Sequence, residues 1–235
     1  MPIRLFIFDL DGTLIDTLTD ITNSLNYAFN KLGLEKQLAE KQVKGLVGEG
    51  IGKLIEKAVE ETKAGGQKGE KKLVEDLKEQ FLSHYRKHLL DNTDAYPGVP
   101  ETLRSLAGFK KAIITNKKTN LTKKILEGLD IARYFDLVVG PETAADRKPS
   151  PEPVFYVLRK LKMEPEEAVV IGDSRFDVET GRRARVKCVV AVTYGYGNEK
   201  GPAKEADYAI GSIDELVSTL YKNEPMLERR TEHRD

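Results

Sequence analysis

Leu5-Phe6-Ile7-Phe8-Asp9-Leu10-Asp11-Gly12-Thr13-Leu14 decides the reading of this chain. Four consecutive apolar residues end in two aspartates and a glycine. A run apolar on both faces is what a strand buried in a parallel sheet requires. Ligands of open α/β sheets bind beyond the carboxyl ends of the strands, and Asp9 and Asp11 fall there. Two acids separated by one residue can face a common site, one bonding covalently or holding a metal while the other moves protons. Gly12 lets the backbone turn sharply and approach a ligand. Taken alone, Asp-x-Asp-Gly reads more readily as a turn whose acid caps the next helix.

Outward from this stretch the pattern repeats. Ile3–Phe8, Ala112–Thr115, Leu137–Val139, Ala168–Ile171 and Val189–Val192 are short apolar runs followed by helical periodicity, with Tyr208–Ile210 a weaker sixth. Such a succession predicts a doubly wound α/β core with a parallel sheet covered on both faces. Between Thr17 and Asn92 the character changes. Leu18, Ile21, Leu25, Ala28, Phe29 and Leu32 fall at helical spacing, and so do Leu54–Val59 and Leu73–Tyr85, with no strand-like run among them. Residues 1–16 and 93–223 are therefore expected to form the core, 17–92 an inserted helical lobe, and 224–235 a charged tail. Ala64–Lys72 is a Gly- and Lys-rich link inside the lobe, and Tyr96-Pro97-Gly98-Val99-Pro100 a rigid turn back into the core.

The other strand-like runs end in polar residues that suit the same chemistry. Ile114 gives way to Thr115-Asn116-Lys117, and Ile171 to Gly172-Asp173-Ser174 with Asp177 close behind. Lys148 lies in the loop after Leu137–Gly140. In one parallel sheet these groups converge at one edge. They would supply carboxylates for a hard cation, a hydroxyl and an amide for phosphate oxygens, and one ammonium. The company of these residues overturns the helix-capping reading of Asp9.

Asp-x-Asp-Gly-Thr-Leu, Thr-Asn, the isolated Lys and Gly-Asp-Ser-x-x-Asp together resemble, in order and spacing, the four motifs of the haloacid dehalogenase superfamily. The helical insertion is similar to its small helical cap subclass. Gly45–Gly50, Val192–Gly197 and Ala206–Leu216 resemble the phosphoglycolate phosphatase branch. The resemblance implies a magnesium-dependent phosphomonoesterase. Asp9 would be the nucleophile, forming an aspartyl phosphate, and Asp11 the acid and then the base. Asp9, Asp173 and the Asp11 backbone carbonyl would hold Mg²⁺, with Asp177 orienting them. Gly12, Thr115, Asn116 and Lys148 would bind the phosphoryl group. Phe176 departs from the pattern, since many relatives carry Asn there, and it supplies no side-chain hydrogen bond.

Gly48-Glu49-Gly50-Ile51-Gly52-Lys53 matches neither nucleotide-loop pattern: a Walker loop needs Gly at Val47 and Ser or Thr at Leu54. It reads either as a Gly-rich start of a helix or as a loop of Gly48, Glu49 and Gly50 closing over the substrate. Asp16 and Thr17 mark a hinge or cap the helix beginning near Leu18. His84, His88 and His233 have no partner at metal-ligand spacing and read as surface histidines.

The chain has 235 residues with 38 basic and 38 acidic side chains, a formal net charge of zero. That balance gives no reason to expect nucleic acid or an anionic membrane as partner. One cysteine, Cys188, cannot form an intramolecular disulfide, which fits a reducing compartment. No apolar stretch approaches a membrane span, and Met1–Arg4 leads straight into the first run. The expectation is a cytoplasmic monomer or homodimer acting on a small phosphorylated metabolite. The rivals are a pyrophosphatase, a sugar-phosphate or nucleotide phosphatase, a phosphoglucomutase, and a non-catalytic module on the same fold. A phosphonate hydrolase would need a Schiff-base lysine, for which Lys44, Lys53 and Lys57 are the candidates.

Overall fold

The computed structural model of the chain describes residues 1–62, 70–197 and 201–223. The expected tail 224–235 with His233, and residues 64–69 of the Gly- and Lys-rich link, lie outside the described residues; residues 70–72, expected in that link, begin a helix instead.

β1 (Leu5–Phe8) is buried along its whole length. Its side chains alternate between two cores. Phe6 and Phe8 enter one apolar cluster, Leu5 and Ile7 the other. That alternation is the reason the run had to be apolar throughout. The chain then forms β2 (Ile15–Asp16) and four helices: α1 (Leu18–Lys31), α2 (Glu40–Lys44), α3 (Ile51–Thr62) and α4 (Glu70–Tyr85). It returns through β3 (Asp94–Ala95) and α5 (Val99–Ser105) to β4 (Lys110–Ile114), α6 (Thr119–Gly128) and β5 (Leu137–Val139). α7 (Glu152–Leu161), β6 (Ala168–Gly172), α8 (Arg175–Arg183) and β7 (Cys188–Val192) follow, then α9 (Pro202–Glu205), β8 (Tyr208–Ile210) and α10 (Glu215–Asn223).

The main sheet has the order β5-β4-β1-β6-β7-β8, with every neighbouring pair parallel. All six predicted runs are its strands. Buried residues of α5, α6 and α10 join Phe6 and Phe8 in one cluster; those of α7 and α8 join Leu5 and Ile7 in the other. β1 lies between β4 and β6, with Phe8 in register with Ile113 and Ile171. Strand order reverses beside β1, which opens a crevice at the carboxyl edge. Asp9, Thr115 and Asp173 each stand one residue past the end of a strand on that edge.

β2 and β3 pair antiparallel, Ile15 with Ala95 and Asp16 with Asp94, where the chain leaves for the four helices and comes back. Asp20 of α1 reinforces this crossing. Its buried carboxylate accepts from the Asn92 and Thr93 backbone N–H groups, from Asn92 Nδ2 and from Thr93 Oγ1, at 2.7–3.0 Å. The helices are held by a shared interior containing Leu25, Phe29, Ile55, Val59, Leu77 and Phe81. Each such side chain, fully buried, contributes about 1.5–3 kcal/mol.

Candidate active site

Asp9 follows β1, and its Oδ1 accepts a hydrogen bond of 2.5 Å from Lys148 Nζ. The same ammonium donates to Asp177 Oδ1 at 2.6 Å. Asp177 lies in the first turn of α8, where its Oδ2 accepts from the Ser174 N–H and hydroxyl, so both its oxygens are engaged. Asp173 Oδ2 accepts from the N–H groups of Tyr196 and Gly197, at 2.6 and 2.9 Å. Gly12 has φ +86°, and a Cβ there would meet Asp173 Oδ2 at 2.5 Å. The tight approach of the first loop to Asp173 therefore requires glycine.

One oxygen each from Asp9, Asp173 and Asp177 can be chosen so that all lie within 4.8 Å of one another. These three carboxylates face the single ammonium of Lys148, an excess of two negative charges in a buried site. The cost of that excess is visible in the titration of the group. Burial first, then the Asp177 and Asp173 charges, raise Asp9 well above the usual carboxylate range despite Lys148. Burial and Asp177 push Asp173 up to about 6. Burial draws Lys148 down, but Asp177 and Asp9 outweigh it and hold it above its ordinary value. An all-oxygen donor set with two uncompensated charges fits a hard divalent cation.

Asp11 points to a different cation, one that sequence reasoning missed. Lys117 Nζ donates to Asp11 Oδ1 at 2.6 Å, with only 4% of its side chain exposed. Thr17 Oγ1 donates to the same oxygen at 2.7 Å. Thr17 stands at the N-cap position of α1 yet makes no side-chain cap; Asp16 Oδ1 accepts the Leu18 N–H instead. The expectation that both residues might cap the helix thus holds for Asp16 alone. Burial pulls Lys117 down, but the charge of Asp11 outweighs it, so its ammonium is held above the ordinary range. The available signal was position: Lys117 follows Thr115-Asn116 at the same strand end.

Tyr194 and Tyr196 come from the loop after β7. Tyr194 Oη donates to the Thr13 carbonyl and Tyr196 Oη to Asp16 Oδ1, both at 2.7 Å, which clamps the loop following β1. A cavity of about 770 Å³ opens above the sheet edge. Asp9, Asp11, Thr115, Asn116, Lys148 and Asp173 line its floor, and Gly48, Glu49 and Gly50 its opposite wall. That loop touches the floor directly. Asn116 Nδ2 donates to the Gly48 carbonyl at 2.8 Å and Arg147 to the Glu49 carbonyl at 3.2 Å. Phe176 also lines the cavity; a Cβ at Gly48 would lie 3.7 Å from its ring. The residue that departs from the motif packs against the loop instead of hydrogen-bonding.

The model of the haloacid dehalogenase-like hydrolase family matches residues 6–191. The chain belongs to that family. Among its relatives is the phosphoglycolate phosphatase of Aquifex aeolicus, 37% identical over 223 residues, which are 92% of this chain and 96% of the relative. The phosphoglycolate phosphatase of Chromobacterium violaceum is 35% identical, covering 94% of this chain and 97% of its own. In structure, a predicted phosphoglycolate phosphatase from Haemophilus somnus superposes with a TM-score of 0.84 at 28% identity, over 92% of this chain and 97% of that one.

The chain is a haloacid dehalogenase-like hydrolase of the phosphatase type. Of the residues named from sequence, Asp177 stands behind Lys148, not in the lining of the main cavity, and Gly12 acts through backbone shape. Of the Schiff-base candidates, Lys53 pairs with Glu56 and Lys57 with Glu49, while Lys44 is half-buried in the cavity lining. The described histidines lie away from the cavity, yet they are more than bare surface residues. His84 Nδ1 is 3.0 Å from Ser24 Oγ, and its ring stacks on Tyr27 and His88. Among the described residues no helix is long and apolar enough to cross a membrane.

Proposed function

We propose that this chain is a Mg²⁺-dependent phosphomonoesterase that hydrolyses 2-phosphoglycolate to glycolate and phosphate. The observation that carries the reading is the buried excess of two negative charges beside Asp9, at the edge of the sheet where Lys148 also arrives. The names borne by the relatives favour phosphoglycolate as the ester.

In this reading Asp9, Asp173 and the backbone carbonyl of Asp11 would hold Mg²⁺, with Asp177 orienting Lys148 and the acidic cluster; when bound, the ion would supply positive charge against Asp9 and the phosphoryl oxygens. Without such help a carboxylate approaching a phosphate oxygen at 4 Å meets about 4 kcal/mol of repulsion per charge pair at an effective dielectric of 20. Lys148, Thr115 and the backbone about Gly12 and Asn116 position the phosphoryl group, which in a loose transition state is most of what catalysis requires. An Asp9 carboxylate oxygen bonds to phosphorus as the bond to the glycolate oxygen breaks. Asp11 gives its proton to that oxygen. Asp11 then takes a proton from water, the water oxygen bonds to phosphorus, and the bond to Asp9 breaks.

Residues 17–92 act in this scheme as a cap over a core of 1–16 and 93–223. The loop Gly48–Gly50 excludes water while it rests on Asn116. The single cysteine, buried and unpaired with another cysteine, suits a reducing cytoplasm.

A screen of small phosphate esters with Mg²⁺, on the wild type and on Asp9→Asn, tests the reading. Phosphate release from phosphoglycolate that vanishes in the folded variant is the expected result. Substantial turnover by Asp9→Asn removes the mechanism, and a marked preference for hexose phosphates or pyrophosphate removes the substrate.

A further inference from the structure

Two buried polar groups lie on the cap-facing side of the cavity without enough partners. Lys117 has three donors on its ammonium, and Asp11 Oδ1 is its hydrogen-bond acceptor among the described residues. Tyr85, from the last turn of α4, is 1% exposed, and its hydroxyl makes no well-formed hydrogen bond, with the Lys117 ammonium close beside it. The Lys117 ammonium lies 5.2 Å from the centroid of the Tyr85 ring. Both residues line the cavity, alongside the apolar walls of Ile21, Leu54 and Phe81. A buried hydroxyl left without a partner commonly costs about 1–3 kcal/mol, so its retention beside an ammonium calls for a ligand.

We propose that Lys117 and Tyr85 form a subsite for a carboxylate on the leaving group, one carbon from the oxygen that Asp11 protonates. The assignment rests on the reading of the chain as a phosphatase with Asp11 as proton donor. Asp11 Oδ1 is 2.6 Å from Lys117 Nζ. A leaving oxygen within about 3 Å of the same carboxyl places an adjacent carboxylate within hydrogen-bond reach of the ammonium. Of the other cavity lysines, Lys148 is shared by Asp9 and Asp177, Lys57 is paired with Glu49, Lys41 is exposed, and half-buried Lys44 has no hydrogen bond to Asp11. The subsite distinguishes a carboxylated ester from a neutral one because its buried donors go unmet by the latter.

The test compares kcat/KM for 2-phosphoglycolate, 2-phospholactate and the neutral analogue ethyl phosphate, with Mg²⁺, for the wild type, Lys117→Met and Tyr85→Phe. The wild type should prefer a carboxylated ester. Lys117→Met should reduce that preference by about tenfold to hundredfold, as expected for a charge-assisted bond, and Tyr85→Phe by about fivefold. Tyr85→Phe keeps the test decisive should the lysine variant not fold. Variants that retain the wild-type preference overturn the subsite alone. If the wild type favours phospholactate and both variants lose that preference, the subsite stands and phosphoglycolate falls. A wild type indifferent to the carboxylate overturns both.

Discussion

Replacing Lys148 with methionine removes a charge while keeping most of the volume. Its ammonium lies 2.5 Å from Asp9 and 2.6 Å from Asp177, with the three side chains 5%, 10% and 2% exposed. At an effective dielectric of 20, each contact carries about 6 kcal/mol of gross attraction. Desolvation of the three groups offsets most of that, and removing one partner of a buried pair costs about 3–5 kcal/mol. This is a large part of the ~5–15 kcal/mol that holds a typical domain together.

The loss should depend on pH, and its sign follows from Asp9. Burial already raises that carboxyl above its unfolded value of 3.8, and Lys148 is the largest influence lowering it. Without the ammonium it rises further, so the native variant binds a proton more tightly than its unfolded chain. Stability then falls as pH rises through this range, and the deficit against wild type is relieved toward acid pH. Urea unfolding followed by circular dichroism, in EDTA at pH 8 and pH 5, measures both effects. The expected deficit at pH 8 is about 3–5 kcal/mol, shrinking by at least ~1.4 kcal/mol at pH 5. A deficit under about 1 kcal/mol at pH 8, or one equal at both pH values, refutes the buried-pair reasoning. With Mg²⁺ present, turnover by the variant should drop about 10²–10³-fold.

Gly50 has φ +85°, and a Cβ there would sit 3.0 Å from the Asn116 carbonyl oxygen. Gly50→Ala should cost about 1–2 kcal/mol and raise KM more than it lowers kcat; unchanged KM and melting temperature would count against a docked loop. EDTA should abolish phosphate release and Mg²⁺ restore it, and Asp173→Asn should raise the Mg²⁺ concentration for half-maximal activity at least ~10-fold. Full activity in EDTA would dismiss the metal. Burial, with His88 beside it, holds His84 below 6.5, so the native state binds fewer protons there than the unfolded chain. Stability should rise with pH through about 6.5 and be lost below it, and His84→Gln should flatten that slope in thermal melts between pH 5 and 7.

The central strands were legible because they are buried on two faces, which leaves a continuous apolar run in the sequence, as in Leu5–Phe8 or Ala168–Ile171, whereas the edge strands β5 and β8 are partly exposed. The fold class and the order of polar residues at the strand ends follow from those runs. β2 and β3, two residues each, are shorter than any periodicity, and α2 offers only Val43 as a buried residue, so neither announces itself. Lys117 stands next to Thr115-Asn116, yet the sequence alone gives it no role. A lysine reveals its role only when its ammonium has a destination, and here the destination, Asp11, is 106 residues away. Thr17 misled in the opposite sense. Its position predicts a helix cap, but its hydroxyl turns toward Asp11 while the neighbouring Asp16 takes the capping bond.

These two lysines explain how aspartates two residues apart can do different work. Lys148 is shared between Asp9 and Asp177 with Asp173 close by, so that side of the site stays anionic and favours a cation against Asp9, the proposed nucleophile. Lys117 is matched one to one with Asp11, supplemented by the Thr17 hydroxyl. That side is neutral overall, and its ammonium lines the cavity beside Tyr85. The asymmetry is built from different strand ends, Lys117 after β4 and Lys148 after β5. A single exchange of charge should therefore disturb one half of the chemistry before the other. Loss of Lys148 should weaken attack at phosphorus for every ester. Loss of Lys117 should weaken hydrolysis most where the leaving group carries its own negative charge, and that contrast separates the two roles in one set of substrates.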